Sequence, residues 1–438
     1  MFASNTLNGK SLIKTAGRIS CAFTPRGVSE VLRLKSHLYL VLASLFVLST
    51  TAPALSLSLT VKTFNIRNDN QSAWTDSEPN AIFLRRDRVV DSIRENDPDI
   101  IALQEVTGRQ FVSIRAELGP RYGSVYQPRE PGDLSSEGVP IFYDTTRFDL
   151  LDSTSFWLSL LPDVPDTLHP LDELGDDDRS SRVATVVTLR AKDGGETFLV
   201  GNTHLSLSAD ARRGLDWPDS ALERLDGDEF TQLSQDLNVL ETQPATSKFD
   251  GGDWRAKGRI PGQSEIFLAT VEALAGDLPF ILTGDLNTGP GLDGYELFTG
   301  NFAPGIYTSG DPLIDSLDSL DSDNAGLTFH GNEPTELQNG DLEIGTNTSS
   351  PIDFIFTTSD FRTDTAAIER ERYFAPPGSD ALPVFPWKYA SDHYAVSAEL
   401  TLLAPTTPPT ETVIPVPAGA PLLLTGLAAL AFVRRRAR

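Results

Sequence analysis

Eight short apolar, β-rich runs recur along the middle of the chain, with turn or polar residues between them. These are Leu59–Asn65, Asp99–Leu103, Val139–Tyr143, Val183–Leu189, Thr197–Thr203, Pro279–Gly284, Ile352–Phe356 and Tyr394–Leu400. Each is rich in β-branched or aromatic residues and ends at polar residues or turn formers, so each predicts a strand. Two stretches, Ile82–Glu95 and Glu265–Leu274, repeat their apolar residues at helical spacing instead. Many strands with few helices predict an α/β fold in which two sheets pack as a sandwich between Leu57 and Leu403.

Three segments break this rhythm. Ser208–Gly258 is long, polar and acidic, with little strand signal, and Asp163–Asp178 and Asp311–Asn324 are acidic stretches carrying Pro, Gly or Ser. All three read as surface insertions. The recurring Asp of the last raises calcium binding as an alternative. It lacks the central Gly and terminal Glu of a calcium loop at the required spacing, so a solvated loop is expected.

Both ends depart from globular patterning. His37–Ala54 is an apolar run behind Arg33 and Lys35, closing on Ala52-Pro53-Ala54. That is the make-up of an export signal cleaved after Ala54, and the run is short for a membrane span of about 20 residues. After a Pro/Thr stretch from Ala404, the motif Ile414-Pro-Val-Pro-Ala418 precedes an apolar segment, Pro421–Val433, and the basic cluster Arg434–Arg436. Such an ending resembles the VPxPA or PEP-type sorting signals of bacterial surface proteins, with Ile414 where that motif has Val. It implies a C-terminal processing enzyme as a partner, with a plain membrane anchor as the alternative. The expected organisation is a targeting region at 1–54, a catalytic domain at 55–403 and a linker with sorting signal at 404–438.

Composition narrows the function. Hydrophobic residues at 39% and charged residues at 22% describe a globular chain. A formal net charge of −25 repels nucleic acid and anionic lipid at long range. It leaves phosphate substrates open, because a bound divalent cation inverts the local field. Cys21 is the sole cysteine, so no intrachain disulfide forms.

Polar residues capable of chemistry gather at the strand ends, where a rigid scaffold tends to carry functional groups. Asn65 closes VKTFN, Gln104-Glu105 follow IIAL, and Asn202-Thr203-His204 close FLVGNTH. Asp285 and Asn287 lie in FILTGDLN, Asp353 opens a strand in PIDFIF, and Ser391-Asp392-His393 precede the last strand. Singly, each has an ordinary reading: a solvated strand end, a turn, or a structural histidine. Of the five histidines, His204 and His393 sit inside these motifs, His37 in the targeting region, His169 in an acidic loop, and His330 in LTFHG. Tyr143 and His330 are further candidates to line a site. Arg67 either binds phosphate or pairs with a carboxylate.

The set and its order resemble the endonuclease/exonuclease/phosphatase superfamily: Asn at a strand end, then QE, a THL-type His, GD-x-N, an Asp at a strand start, and SDH. The wording SFWLS around Phe156 and SSRVATVVTL around Arg182 is similar to a bacterial exported branch. The resemblance implies a four-layer αββα sandwich and a phosphoesterase that activates water with Mg²⁺ or Mn²⁺. It gives Glu105 the principal metal contact, with Asn65 and Asp392 completing or orienting the shell. Asp285 then positions or deprotonates water, and Asn287 hydrogen-bonds the phosphate. His393 acts on the phosphate or as part of the base, oriented by Asp353, and His204 contacts the phosphate or assists the leaving group. The presence of His204 aligns the pattern with the deoxyribonuclease, sphingomyelinase and inositol-phosphatase branches.

The expected activity is therefore hydrolysis of a phosphodiester or phosphomonoester by a monomeric, exported protein at the cell surface. A nuclease is one version, which the net charge disfavours; a lipid or sugar-phosphate hydrolase is another. An inert surface protein that kept only the fold is the reading from a different class.

Overall fold

The computed structural model describes residues 56–69, 81–165, 168–169, 180–216, 259–301, 311–318, 326–329, 350–370 and 390–403, with residue pairs at 335–336, 342–343, 373–374 and 387–388. The targeting region, the sorting signal, His330 and most of the three acidic insertions lie outside them.

The strands are β1 (Leu57–Asn65), β2 (Ile100–Gln104), β3 (Tyr122–Val125), β4 (Ile141–Asp144), β5 (Phe148–Trp157), β6 (Val183–Ala191) and β7 (Thr197–His204). They continue as β8 (Phe280–Asp285), β9 (Ile314–Asp315), β10 (Asp353–Thr357), β11 (Phe361–Glu369) and β12 (Ala395–Leu402). The longer helices are α1 (Ala81–Arg94), α2 (Gly108–Leu118) and α3 (Gln263–Ala275). Two six-stranded sheets result, ordered β11-β12-β1-β2-β4-β3 and β9-β10-β8-β7-β6-β5. Each contains one parallel pair, β1 with β2 and β7 with β8, among antiparallel neighbours. The second sheet is built wholly from residues 148–357, whereas the first joins strands from both sides of that stretch.

Strand side chains alternate between two faces, and the alternation makes four layers. Leu59, Val61, Ile100, Phe198, Val200, Ile281, Ile355, Val396 and Leu400 meet between the sheets. The opposite face of the first sheet packs Phe64, Ile101 and Leu103 against Val89, Val90 and Ile93 of α1 and Ile114 of α2. The opposite face of the second packs Leu199, Leu282, Phe354 and Phe356 against Ile266, Phe267 and Val271 of α3. Each such buried side chain contributes roughly 1.5–3 kcal/mol. The αββα sandwich expected from the sequence is the fold observed.

The inner faces are graded along the strands. Reading down β1 gives Val61, Thr63, Asn65; β7 gives Val200, Asn202, His204; β8 gives Ile281, Thr283, Asp285. An apolar layer thus passes into a neutral polar layer and then into an ionisable rim. The middle layer is fully buried and bonded across the sheets. Gln104 Nε2 donates to Thr63 Oγ1 at 2.9 Å and to Asn202 Oδ1 at 2.7 Å. Asn202 Nδ2 donates to the Leu103 and Pro140 carbonyls, and Thr283 Oγ1 to the Gly201 carbonyl.

Two sequence expectations change. Asp311–Asn324 is not solvated throughout: Ile314–Asp315 pairs with β10, and buried Asp315 accepts from Tyr295 Oη at 2.9 Å. Within the first acidic loop, His169 is buried, its Nε2 2.8 Å from the Pro261 carbonyl.

Candidate active site

The eight predicted site residues converge at one end of the sandwich. Asn65 and Glu105 come from the carboxyl ends of β1 and β2, and His204 and Asp285 from those of β7 and β8. Asp353 opens β10 beside Asp285, whose strand it pairs with in register. Asp392 and His393 lie just before β12. Ser391 fixes that segment by donating from Oγ to the Asn65 carbonyl at 2.7 Å.

The backbone turns sharply where these strands end. Arg67, Glu105 and Asn287 have φ of 57°, 58° and 49°. For side chains other than Asn this left-handed conformation costs about 1–2 kcal/mol, a strain typical of functional sites. Gly284 meets a different constraint: a Cβ there would lie 2.3 Å from the Thr203 carbonyl oxygen, so the GD step needs glycine for β8 to approach β7.

Asn65 joins the two sheets. Its Nδ2 donates to Glu105 Oε1 at 3.0 Å and to Asp285 Oδ2 at 2.8 Å, while its Oδ1 accepts from the Arg67 backbone at 2.9 Å. The amide therefore presents its nitrogen to the carboxylates and orients them. Asp285 Oδ2 is the centre of the site: His204 Nε2 lies 3.5 Å away and His393 Nε2 3.7 Å away. Its Oδ1 accepts from the Asn287 backbone at 2.9 Å. Burial, with Asp353 adding repulsion, raises its pKa to about 7.

His393 backs onto a carboxylate, with Nδ1 2.9 Å from Asp353 Oδ2. Burial works against its charged form, but Asp353 and Asp285 outweigh burial and raise its pKa to about 10. Phe329 packs its ring against the imidazole with centroids 4.9 Å apart. His204 has the opposite surroundings. Burial, Arg182, Arg129 and His393 together hold its pKa well below the ordinary histidine value. Arg129 Nη2 lies 3.3 Å from its Nδ1, and Asn287 Nδ2 lies 3.0 Å from its Nε2.

Glu105 is half-buried among negative charges. Desolvation, then Glu137 and Asp392, raise its pKa, and the bond from Asn65 offsets part of this. Asn68 donates to Glu105 Oε2 from its backbone at 3.1 Å and from its side chain at 3.3 Å. The Asn68 side chain also donates to Glu137, and Glu137 pairs with Arg129 at 2.9 Å. Contacts therefore close a ring: His204, Arg129, Glu137, Asn68, Glu105, Asn65, Asp285 and back to His204. Arg67 pairs with Asp392 at 3.1 Å, so a carboxylate partner answers that alternative.

The chain shows its kinship at this point, because the Endonuclease/Exonuclease/phosphatase family model matches residues 63–393, from the middle of β1 to His393. The chain belongs to the endonuclease/exonuclease/phosphatase family. Members of this family hydrolyse phosphoester bonds. It is 26% identical over 392 residues to the CCR4-Not complex 3'-5'-exoribonuclease subunit Ccr4 of Aspergillus oryzae, covering 81% of this chain and 49% of that protein. The chain thus spans about half the length of that relative. Among solved structures, it is similar to an endonuclease/exonuclease/phosphatase family protein of Bacteroides thetaiotaomicron (TM-score 0.52, 22% identity, 80% of this chain and 99% of that one). It is also similar to one from Bacteroides vulgatus (TM-score 0.50, 24% identity, 79% and 99%). At these identities the structures share the fold.

Enzymes of the family are typically divalent-metal dependent, and the donors here suit a hard cation. Carboxylates crowd together, and among the described residues Asp353 Oδ1 has no hydrogen-bond partner. One compact donor group is Asp285, Asp353 and His393, with ligand atoms within 4.8 Å of one another. Its compactness comes from the His393–Asp353 hydrogen bond, which already engages both groups. Glu105 differs: its carboxylate is held by amides and faces like charges, so a cation would relieve its repulsion.

Several of these residues gave no signal in the sequence. Arg129 and Glu137 flank a Pro-Gly-Asp turn in a polar loop, Asn68 follows the first motif by three residues, and Thr63 and Thr283 read as ordinary strand residues. Arg182 stood inside recognisable wording, but its nearness to His204 needed the fold. Tyr143 belongs to the core between the sheets, opposite Ile100 at the far end of β2, and is not part of the site.

Proposed function

We propose that the chain is an exported, divalent-cation-dependent phosphoesterase that cleaves a phosphodiester or phosphomonoester by direct attack of water. The observation that carries this reading is the convergence on Asp285 Oδ2 of the Asn65 amide and both histidines. A buried carboxylate with a pKa near neutrality is a base matched to accepting a proton from water at physiological pH.

Each residue has a part. Asp285 orients the attacking water and takes its proton. His393, held by Asp353, presents Nε2 toward the same carboxylate and supports the charge that develops on the phosphate. Asn287 and His204 contact the phosphate oxygens. Glu105 holds the cation, Mg²⁺ or Mn²⁺, with Asp392 beside it and Asn65 orienting both halves of the site. When bound, that cation screens the phosphate's negative charge and polarises its oxygens. Export rests on the apolar run before Ala54 and the Pro-motif, apolar segment and Arg cluster after Ala404. Among the described residues no helix is long and apolar enough to cross a membrane.

The net charge of −25 disfavours a long polyanion and favours a small phosphate ester. The test is hydrolysis of bis-(p-nitrophenyl) phosphate by the purified chain with Mg²⁺, with Mn²⁺ and with chelator, beside His393→Ala. Turnover that requires both metal and His393 supports the reading. Turnover indifferent to both refutes it.

A further inference from the structure

The two histidines of the site sit in opposite electrostatic settings, and the setting of His204 dictates where its proton resides. A guanidinium carries donors only and stays charged. Arg129 Nη2 faces His204 Nδ1 at 3.3 Å, so Nδ1 must offer a lone pair. A neutral imidazole has one lone pair, and Asn287 Nδ2, 3.0 Å from Nε2, competes with Arg129 for it. The charged guanidinium is the stronger donor, and Asp285 Oδ2, 3.5 Å from Nε2, favours a proton on that nitrogen, so the proton is on Nε2. An imidazolium would set an N–H against the arginine, in a buried place with a second cation, Arg182, acting on it.

The guanidinium is itself held firmly. Arg129 is buried, and its backbone N–H donates to the Glu137 carbonyl at 2.8 Å. Its carbonyl accepts from the Trp157 indole at 2.9 Å, and its Nη1 pairs with Glu137 Oε2 at 2.9 Å. Across the ring, Asn287 Nδ2 stands 3.0 Å from Nε2 and also donates to the Leu205 carbonyl at 2.9 Å. With the imidazole proton on Nε2, two N–H groups converge on one point. An anionic oxygen satisfies both.

We propose that Arg129 is a positioning residue that locks His204 as a neutral Nε2–H donor, making His204 and Asn287 a two-pronged cradle for an anionic phosphate oxygen. His204 then stabilises charge as a neutral donor and does not accept a proton. This rests on the phosphoesterase reading for the identity of the anion. The tautomer itself is measurable without substrate, so the two can fail separately.

The test is ¹⁵N NMR of the full chain labelled at its histidine rings, at pH 7, with the His204 resonances assigned by loss in His204→Gln. The expected spectrum has a lone-pair-type Nδ1 and a protonated Nε2 for His204. Arg129→Met should shift His204 toward a mixture of tautomers and lower kcat by about tenfold to a hundredfold with little change in KM. Arg129→Lys, which keeps a cationic donor, should restore most of the wild-type tautomer. A proton on Nδ1, or a doubly protonated ring, in the wild-type protein would overturn the proposal, and so would an unchanged tautomer in Arg129→Met. Should Arg129→Met not fold, the wild-type spectrum and the lysine variant decide it.

Discussion

The side-chain amide of Asn65, on one sheet, donates to the carboxylate of Asp285, on the other, across 2.8 Å and 220 residues of sequence. The same nitrogen donates to Glu105, so one amide sets the spacing between Asp285, the proposed base, and Glu105, the proposed cation holder. Asn65→Ala is expected to lower kcat by about 100-fold or more. It should also destabilise the fold by about 1–3 kcal/mol, because buried Asp285 and half-buried Glu105 lose a shared donor. Steady-state kinetics and urea unfolding of the variant check both figures.

The His393–Asp353 pair is fully buried, which separates the kinetic effect of a substitution from its structural effect. His393→Ala should lower kcat by about 10³-fold and also cost about 3 kcal/mol, since Asp353 is left as a lone buried charge. Asp353→Asn in the same protein should recover part of the stability and none of the activity. Asp285→Asn should lose as much activity with a smaller stability loss, as its other donors persist. A double-mutant cycle in denaturant, run beside the kinetics, tests this.

Cation binding should be visible as stability. Glu105, Glu137 and Asp392 repel one another without it. At a concentration 100 times the dissociation constant, Mg²⁺ or Mn²⁺ should stabilise the protein by about 2.7 kcal/mol. Chelator should abolish that gain together with turnover. Glu105→Gln should unfold at the same temperature with and without the ion; an ion-dependent shift preserved in that variant would exclude Glu105 as its holder.

Buried His169 makes the fold sensitive to acid at a place remote from the chemistry. Burial lowers its pKa from 6.5 to about 4. Above pH 6.5 both folded and unfolded chains carry it neutral. As pH falls toward 4 only the unfolded chain takes up the proton, so stability drops, by on the order of 3 kcal/mol over the whole window. His169→Gln should remove about 2–3 kcal/mol of the difference in unfolding free energy between pH 7 and pH 4.5. An identical difference in both proteins would refute the assignment.

Much of the architecture was legible because strands buried on both faces read as short apolar, β-rich runs. All eight apolar runs are strands, and both helical spacings are helices. The strands that escaped notice lack such runs. β5 is an edge strand with a largely exposed middle, and β11, also at an edge, reads FRTDTAAIE, whose polar start conceals it. Helix α2 carried a readable signature that went unused: Thr107 and Gln110 form a reciprocal capping box at its start. At the site, the residues lying on strand ends could be seen in the sequence. Arg129 and Glu137 could not, because a loop residue reveals its partner only when the loop is placed. Lys62 shows the same limit. It looks like a solvent position of β1, yet it is buried, donates to the Ser92 and Glu95 carbonyls where α1 ends, and pairs with Glu369 at 2.7 Å.

The first sheet is completed from both sides of residues 148–357, and this sets a schedule for the growing chain. Strand β1 finds β2 early, but its other edge waits for β12, more than 300 residues later in synthesis. Asp392 and His393 arrive with that strand, and Ser391 closes onto Asn65 only then. A nascent polypeptide that has already formed the whole second sheet, with His204, Asp285 and Asp353 in place, still has half a base and an open seam. The proposed site is therefore complete only when residues 390–403 close onto β1, and a chain without them holds the second sheet's share of the site alone.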